Sequence, residues 1–195
     1  EISECLVGSE MCIRDRVISN IIRMFAVLTV YHNHSVMKTI HLSINYVSCT
    51  FSELSSCDQQ LVEAAQAACK NSYAPYSHFS VGAAAALDNG EIISGSNQEN
   101  AAFPSGTCAE RCTVFYANSQ YPQSAVHTLA IAAIGTDGKF TAHPISPCGA
   151  CRQVLLETEQ RFKTPMRVIL YGTNEIFIIR SCSELLPFQF DQSAL

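Results

Sequence analysis

Three cysteines and one glutamate form a pattern suited to a metal centre that activates water. Cys108 and Glu110 are separated by one residue, and Cys148 and Cys151 lie in a second segment, behind Pro147. Three thiolates can hold a zinc ion while its fourth coordination position stays open for water, and a nearby carboxylate can move protons. A structural zinc site normally has a fourth protein ligand, and neither segment offers one. The pattern therefore favours a hydrolytic zinc site.

Each cysteine segment is predicted to begin a helix. Residues 109–117 have helix-forming composition, so Cys108 is expected at a helix N-terminus. The run 152–157 predicts a second helix, with Cys148 at its start and Cys151 in its first turn. Free N–H groups and the positive end of the helix dipole lower the pKa of thiols placed there.

Three thiolates around one divalent cation leave a net negative site, which weakens the metal as a Lewis acid. Arg111 and Arg152 each flank a ligand. We expect both to donate hydrogen bonds to the sulfurs from outside the metal shell.

Taken alone, the C-x-x-C pair is more typical of a redox pair or of half a structural zinc site. A thioredoxin-like pair usually follows the first strand of its domain, whereas Cys148 follows several predicted elements. Together, the C-x-E and P-C-x-x-C segments match the zinc deaminase pattern, with cysteine in place of the first histidine.

Further segments resemble the cytidine deaminase family. In chain order they are residues 73–79 (YAPYSHF), 81–84 (VGAA), 97–102 (NQENAA), 147–153 (PCGACRQ) and 184–187 (ELLP). The resemblance covers residues 56–195, about the length of the small single-domain form of that family. Residues 56–195 are therefore expected to be the catalytic domain.

The resemblance implies a role for each matching residue. Cys108, Cys148 and Cys151 match the ligands of one Zn²⁺ per subunit, and Glu110 matches the proton-shuttling carboxylate. Asn97 and Glu99 match the pair that binds the ribose, chiefly its 3′-hydroxyl. The substrate-binding set implied in this way is Asn97, Glu99, Asn100, Phe103, Phe79 and Phe190, and Arg111 matches an arginine that offsets the thiolate charge.

The resemblance also implies a homotetramer in which Phe190 reaches the active site of a neighbouring subunit. The apolar residues 185–190 are consistent with such a contact, although packing of the chain terminus onto its own core would explain them nearly as well.

Three residues depart from the common family pattern. Phe103 stands where many relatives carry tyrosine, so a hydroxyl contact near the sugar is absent. Gln98 replaces a branched aliphatic residue, and Cys112 replaces threonine or alanine. We interpret Cys112 as a small, buried apolar residue.

The chemistry of the N-x-E segment agrees with sugar binding. Asn97 and Glu99 would lie on one face of an extended segment, and an amide beside a carboxylate suits hydroxyl groups. Residues 91–103 include no Lys or Arg to bind a phosphate. The alternative is a turn with two solvated polar side chains.

Length and composition limit the possible classes of protein. A chain of 195 residues with 48% hydrophobic residues can bury one sizeable core. The net charge of −5 argues against binding a polynucleotide. Ten cysteines without a framework spacing, three of them assigned to zinc, favour a reducing compartment, and we expect a cytoplasmic protein without a membrane contact.

The first 55 residues do not fit this scheme. Residues 5–16 show no regular hydrophobic periodicity. The apolar run 17–31 is too short to span a bilayer and is also interrupted by Asn20 and Arg23. We expect residues 1–55 to be a disordered or artefactual extension, with Met24 or Met37 as a possible true start.

The pattern of elements predicts an α/β fold. Five strands are expected at residues 79–87, 91–96, 128–134, 167–171 and 176–180, and helices at 58–71, 109–118 and 148–159. Strands alternating with helices after an opening hairpin predict a three-layer α/β/α sandwich around a mixed five-stranded sheet, as in cytidine deaminases.

The predicted function is zinc-dependent hydrolytic deamination of cytidine and 2′-deoxycytidine to uridine and 2′-deoxyuridine, with release of ammonia, in pyrimidine salvage. One alternative is a related zinc deaminase that acts on another aminated nucleoside or nucleobase. The other is a non-catalytic binding module stabilised by zinc, which would have a fourth protein ligand.

Overall fold

The computed structural model describes residues 37–195, of which residues 42–195 form one compact unit. The expectations for residues 5–16 and 17–31 lie outside the described residues. Within the described part of the chain, no helix has both the length and the hydropathy needed to cross a membrane.

Three helices form where the sequence predicts them. They are α1 (Ser56–Ala68), α2 (Ala109–Gln120) and α3 (Gly149–Phe162). Ser55 caps α1, because its hydroxyl accepts a hydrogen bond from the Asp58 N–H at 3.2 Å. A short 3-10 helix, Cys69–Asn71, continues α1 into the loop before the sheet.

Among residues 37–195, the sheet has six strands in the order β1-β6-β5-β4-β2-β3. They are β1 (Tyr46–Cys49), β2 (Ser80–Leu87), β3 (Ile92–Ser96), β4 (Val126–Ile134), β5 (Arg167–Tyr171) and β6 (Ile176–Ile179). Only β4 and β5 pair in parallel, and α3 forms the crossover between them. The mixed character of the sheet is confirmed.

The predicted count of five strands is wrong by one. Tyr46–Cys49 lies in the segment expected to be a disordered extension, yet it pairs antiparallel with β6. The Tyr46 and Phe177 rings lie 4.6 Å apart across this pair. Sequence patterning missed β1 because three of its four residues are exposed, so it shows no buried alternation.

Helices cover both faces of the sheet. On one face, α1 buries Leu61, Val62 and Ala65 against small residues of the central strands. On the other face, Val114 of α2 and Leu155 of α3 pack on residues of the same strands. The three-layer arrangement therefore agrees with the prediction, and it brings the N-termini of α2 and α3 together.

Gly82 allows the closest of these contacts. A Cβ atom at this position would collide with the carbonyl oxygen of Ala65 and lie 2.6 Å from the backbone nitrogen of Cys69. Only a residue without a side chain lets the end of α1 lie this close to β2.

Candidate active site

The sulfurs of Cys108, Cys148 and Cys151 converge in space. Their Sγ atoms all lie within 4.8 Å of one another, and those of Cys108 and Cys148 are 3.8 Å apart. A tetrahedral zinc centre with Zn–S bonds of about 2.3 Å requires sulfurs about 3.8 Å apart. The residues therefore fit a zinc ion, and among residues 37–195 this cluster contains three donor side chains and no fourth.

Both ligand segments begin helices, as predicted. Cys108 is the N-cap of α2 and Cys148 is the N-cap of α3, each with extended backbone angles. Cys151 lies in the first turn of α3 and is buried. Two helix N-termini thus point toward the same cluster of sulfurs, and their unpaired N–H groups favour thiolates there.

The thiols of Cys108 and Cys151 differ in pKa. A hydrogen bond from the Cys151 thiol, with the nearby Arg111 guanidinium, lowers the pKa of Cys108 to about 5. The same hydrogen bond, together with burial, raises the pKa of Cys151. A divalent cation would allow all three thiols to ionise, because its charge offsets their repulsion.

Glu110 follows Cys108 in the first turn of α2. Its exposed fraction is 5%, and burial is the main reason that its pKa is raised. The Cys108 thiolate raises it further, whereas a hydrogen bond with Cys151 opposes the shift. A carboxyl group beside the sulfurs with a raised pKa can both take up and release a proton.

The two flanking arginines differ from each other. Arg111 donates from Nη2 to the Cys108 sulfur at 3.8 Å, as expected. Arg152 instead donates from Nε to the carbonyl of Pro147 at 2.9 Å and from Nη1 to the carbonyl of Leu185 at 3.2 Å. Arg152 therefore does not make the expected contact with sulfur, and its hydrogen bonds connect α3 to the segment around Leu185.

A cavity of about 490 Å³ opens beside the first ligand. The residues that line it are Tyr76, Ser77, Asn97, Gln98, Glu99, Asn100, Phe103, Gly106, Thr107, Cys108 and Arg111. Four of the six predicted substrate residues therefore lie in one place. Phe79 and Phe190 are not part of the lining.

Asn97 and Glu99 follow β3 in an extended segment. Gln98, which lies between them, forms isolated β-bridges through its backbone to Tyr73 on one side and to Thr107 on the other. One oxygen of Glu99 accepts hydrogen bonds from the backbone N–H groups of Tyr76 at 2.9 Å and Ser77 at 3.2 Å. The alternative of two solvated side chains in a turn does not describe this segment.

Two of the three aromatic residues predicted for the site are strongly exposed. Phe103 has an exposed fraction of 75% and meets Tyr76 edge to face at 6.0 Å. Phe190 has an exposed fraction of 60%, and its carbonyl accepts a bond from Gln153 of α3 at 2.8 Å. Phe79 is half-buried, and its carbonyl accepts from Asn97 Nδ2 at 2.9 Å.

Comparison with known proteins identifies the family. Residues 55–165 match the family model described as the cytidine and deoxycytidylate deaminase zinc-binding region. A cytidine deaminase of Halalkalibacterium halodurans is 42% identical over 99 residues, which are 51% of this chain and 70% of the relative. The chain belongs to the cytidine and deoxycytidylate deaminase family.

Solved cytidine deaminases share the fold. The crystal structure from Burkholderia pseudomallei superposes with a TM-score of 0.56 at 37% identity, covering 67% of this chain and 97% of that one. The crystal structure of the cytidine deaminase from Mycobacterium tuberculosis superposes with a TM-score of 0.51 at 32% identity, covering 68% of this chain and 95% of that one. Nearly the whole length of each of these two solved structures is therefore matched by this chain.

Two departures from the deaminase family pattern have structural explanations. Gln98 donates from its side chain to the carbonyl of Asn71 and to the Ser96 hydroxyl, both at 3.1 Å. Cys112 is half-buried and packs on β3. A Cβ atom added at Gly95 of that strand would lie 3.2 Å from the Cβ atom of Cys112.

Some residues of the candidate site were missed by sequence reasoning. Tyr76 and Ser77 lie in the YAPYSHF segment, which signals the family, but nothing in their side-chain types predicts that their backbone holds Glu99. Ser72 contacts Asn97 directly, and no sequence signal indicates this contact.

Proposed function

We propose that this protein is a zinc-dependent hydrolase that converts cytidine and 2′-deoxycytidine to uridine and 2′-deoxyuridine with release of ammonia. The observation that carries this proposal is the convergence of Cys108, Cys148 and Cys151 beside the buried carboxyl of Glu110. The zinc-binding family to which the chain belongs, and the names of its relatives, support the same chemistry.

The cysteines and Glu110 divide the chemistry between them. Zinc, when held by the three sulfurs, supplies a Lewis acid that makes water a nucleophile near neutral pH. Water adds to C4 of the cytosine ring while Glu110 takes a proton from it and delivers this proton to ring N3. Glu110 then moves the proton of the new C4 hydroxyl group to the exocyclic amine, so that the C4–N bond breaks, ammonia leaves and the C4 carbonyl forms.

Arg111 limits the negative charge of the sulfur cluster. Its hydrogen bond to Cys108 withdraws charge from that sulfur. This keeps a zinc ion bound by three thiolates effective as a Lewis acid.

The cavity is proposed to bind a free nucleoside. Asn97 and Glu99 bind a hydroxyl group of the sugar, and the family resemblance implies that this is the 3′-hydroxyl. The other residues of the substrate-binding set in this subunit are Asn100, Phe103 and Phe79. The sugar-binding pair offers an amide and a carboxylate, which suit hydroxyl groups better than phosphates.

We also propose a homotetramer in which Phe190 completes the site of a neighbouring subunit. The large exposed fractions of Phe188, 89%, and Phe190 support a partner at this surface. Analytical ultracentrifugation of the active enzyme tests this, since a fully active monomer would exclude shared sites.

Residues 56–195 are proposed to form the catalytic domain, with β1 added to its sheet from the preceding segment. We place the enzyme in the cytoplasm because three of its cysteines must remain thiolates to hold the metal. The proposed conversion of cytidine to uridine would place it in pyrimidine salvage.

The direct test is the ultraviolet absorbance of cytidine after addition of purified, zinc-loaded protein. Conversion to uridine removes the long-wavelength part of the cytosine band, and released ammonia is measured in parallel. A panel of aminated nucleosides and nucleobases in the same assay would identify a different preferred substrate. Tight zinc binding without turnover of any member would instead favour the binding module.

A further inference from the structure

Ser72 holds the side chain of a proposed substrate-binding residue. It follows the short 3-10 helix Cys69–Asn71, and its hydroxyl donates a hydrogen bond of 2.6 Å to Oδ1 of Asn97. The backbone N–H of Val81 donates to the same oxygen at 2.8 Å. Both acceptor positions of the Asn97 amide oxygen are therefore filled from within the protein.

The amide nitrogen of Asn97 is only half used. It donates one hydrogen bond, of 2.9 Å, to the carbonyl of Phe79. A primary amide carries two N–H groups, so one donor remains, and Asn97 lines the cavity. If the Asn97 amide were rotated by 180°, its NH₂ group would face the Val81 N–H, and two donors would meet. This fixes the amide oxygen, not the nitrogen, on the side of Val81.

Glu99 presents the opposite polarity. Its Oε2 accepts from two backbone N–H groups of the loop before β2, which leaves Oε1 as an acceptor. Asn97 and Glu99 line the same cavity, and one donor with one acceptor matches a single hydroxyl group, which both accepts and donates.

We propose that Ser72 is a positioning residue for substrate recognition. By holding Asn97 Oδ1, it keeps the free N–H of Asn97 directed at the sugar hydroxyl that Glu99 also binds. The inference rests on the proposed function, in which this hydroxyl is the 3′-hydroxyl of a nucleoside.

The test compares Ser72→Ala with the unchanged enzyme on three substrates. Cytidine and 5′-deoxycytidine keep the 3′-hydroxyl, whereas 3′-deoxycytidine lacks it. For Ser72→Ala we expect KM to rise roughly 3–10-fold for the first two substrates with kcat nearly unchanged, as for loss of one supporting hydrogen bond. The KM for 3′-deoxycytidine is expected not to change, because that substrate never uses the Asn97 N–H.

Two further variants separate positioning from stability. Ser72→Thr keeps the hydroxyl and is expected to restore the preference for substrates with a 3′-hydroxyl. Ser55→Ala makes the same chemical deletion at the cap of α1, so it should lower Tm and leave the preference unchanged. Should Ser72→Ala fail to fold, Ser72→Cys, with a weaker donor of similar size, replaces it and is expected to change KM in the same direction.

An equal change in KM for all three substrates, or no change for any, would overturn the role of Ser72. If the proposed function itself is wrong, the protein without any substitution will leave cytidine intact, and this separates that failure from a failure of the Ser72 proposal. In that case calorimetric titration with uridine and 3′-deoxyuridine decides about Ser72, and equal effects of Ser72→Ala on both affinities, or no binding of either, would reject its role.

Discussion

Glu110 combines burial with contact to the sulfur cluster, and this combination makes it the proton carrier of the proposed reaction. We expect Glu110→Gln to lower kcat at least about 10²–10⁴-fold, because an amide cannot shuttle a proton. Zinc content, measured by atomic absorption, should remain one ion per chain, since the three cysteines are unchanged. Glu63→Gln on the exposed side of α1 is the matched control. Near-normal turnover of the Glu110 variant would remove the carboxylate from the mechanism.

Glu99 carries a pH dependence of folding stability. Hydrogen bonds from Ser77 and Tyr76 to its carboxylate lower its pKa below the ordinary value of about 4.3. Its stabilising contribution is therefore complete above that ordinary value and is lost as the pH falls through the lower folded-state pKa. In metal-free protein, the difference in free energy of unfolding between Glu99 and Glu99→Gln should shrink from about pH 7 to about pH 3. A constant difference in urea titrations would contradict this.

At the scale of elements, the approach of α1 to β2 supports the proposed sugar-binding side of the cavity, because Ser72 follows α1 and its short 3-10 extension, and Asn97 bonds to Val81 of β2. We expect Gly82→Ala to lower the free energy of unfolding by about 3 kcal/mol or more, since its Cβ meets rigid backbone of α1. Urea unfolding of the metal-free protein measures this.

Gly149→Ala is the matched control, because a Cβ at Gly149 meets nothing within 4 Å. Its effect on the free energy of unfolding should stay within about 1 kcal/mol. Equal losses for the two variants would show that the contact between α1 and β2 is not the cause.

At the scale of the whole molecule, β1 extends the sheet beyond the predicted catalytic domain. A chain that begins at Phe51 lacks this strand and leaves β6 as an edge. We expect the β6 amides that face β1 to exchange hydrogen at least about 10-fold faster, while those bonded to β5 stay protected. The loss in free energy of unfolding should be roughly 1–3 kcal/mol, since β1 buries little side-chain surface. Unchanged exchange across β6 would show that β1 does not pair in solution.

From the sequence alone we predicted the three cysteines that converge in the structure, the glutamate beside them and the helices that present them. These features depend on residues a few positions apart, where spacing, N-caps and the punctuation by Pro147 and Gly149 act directly. Five of the six strands were likewise predicted, because each carries an apolar run bounded by turn residues.

The contacts that join distant segments became visible in the folded structure alone. Ser72 meets Asn97, Arg152 turns to the carbonyl of Leu185, and exposed β1 pairs with β6. None of these has a local signature, because a hydroxyl, a guanidinium or an exposed strand can find many partners, and which one it meets depends on how the layers pack.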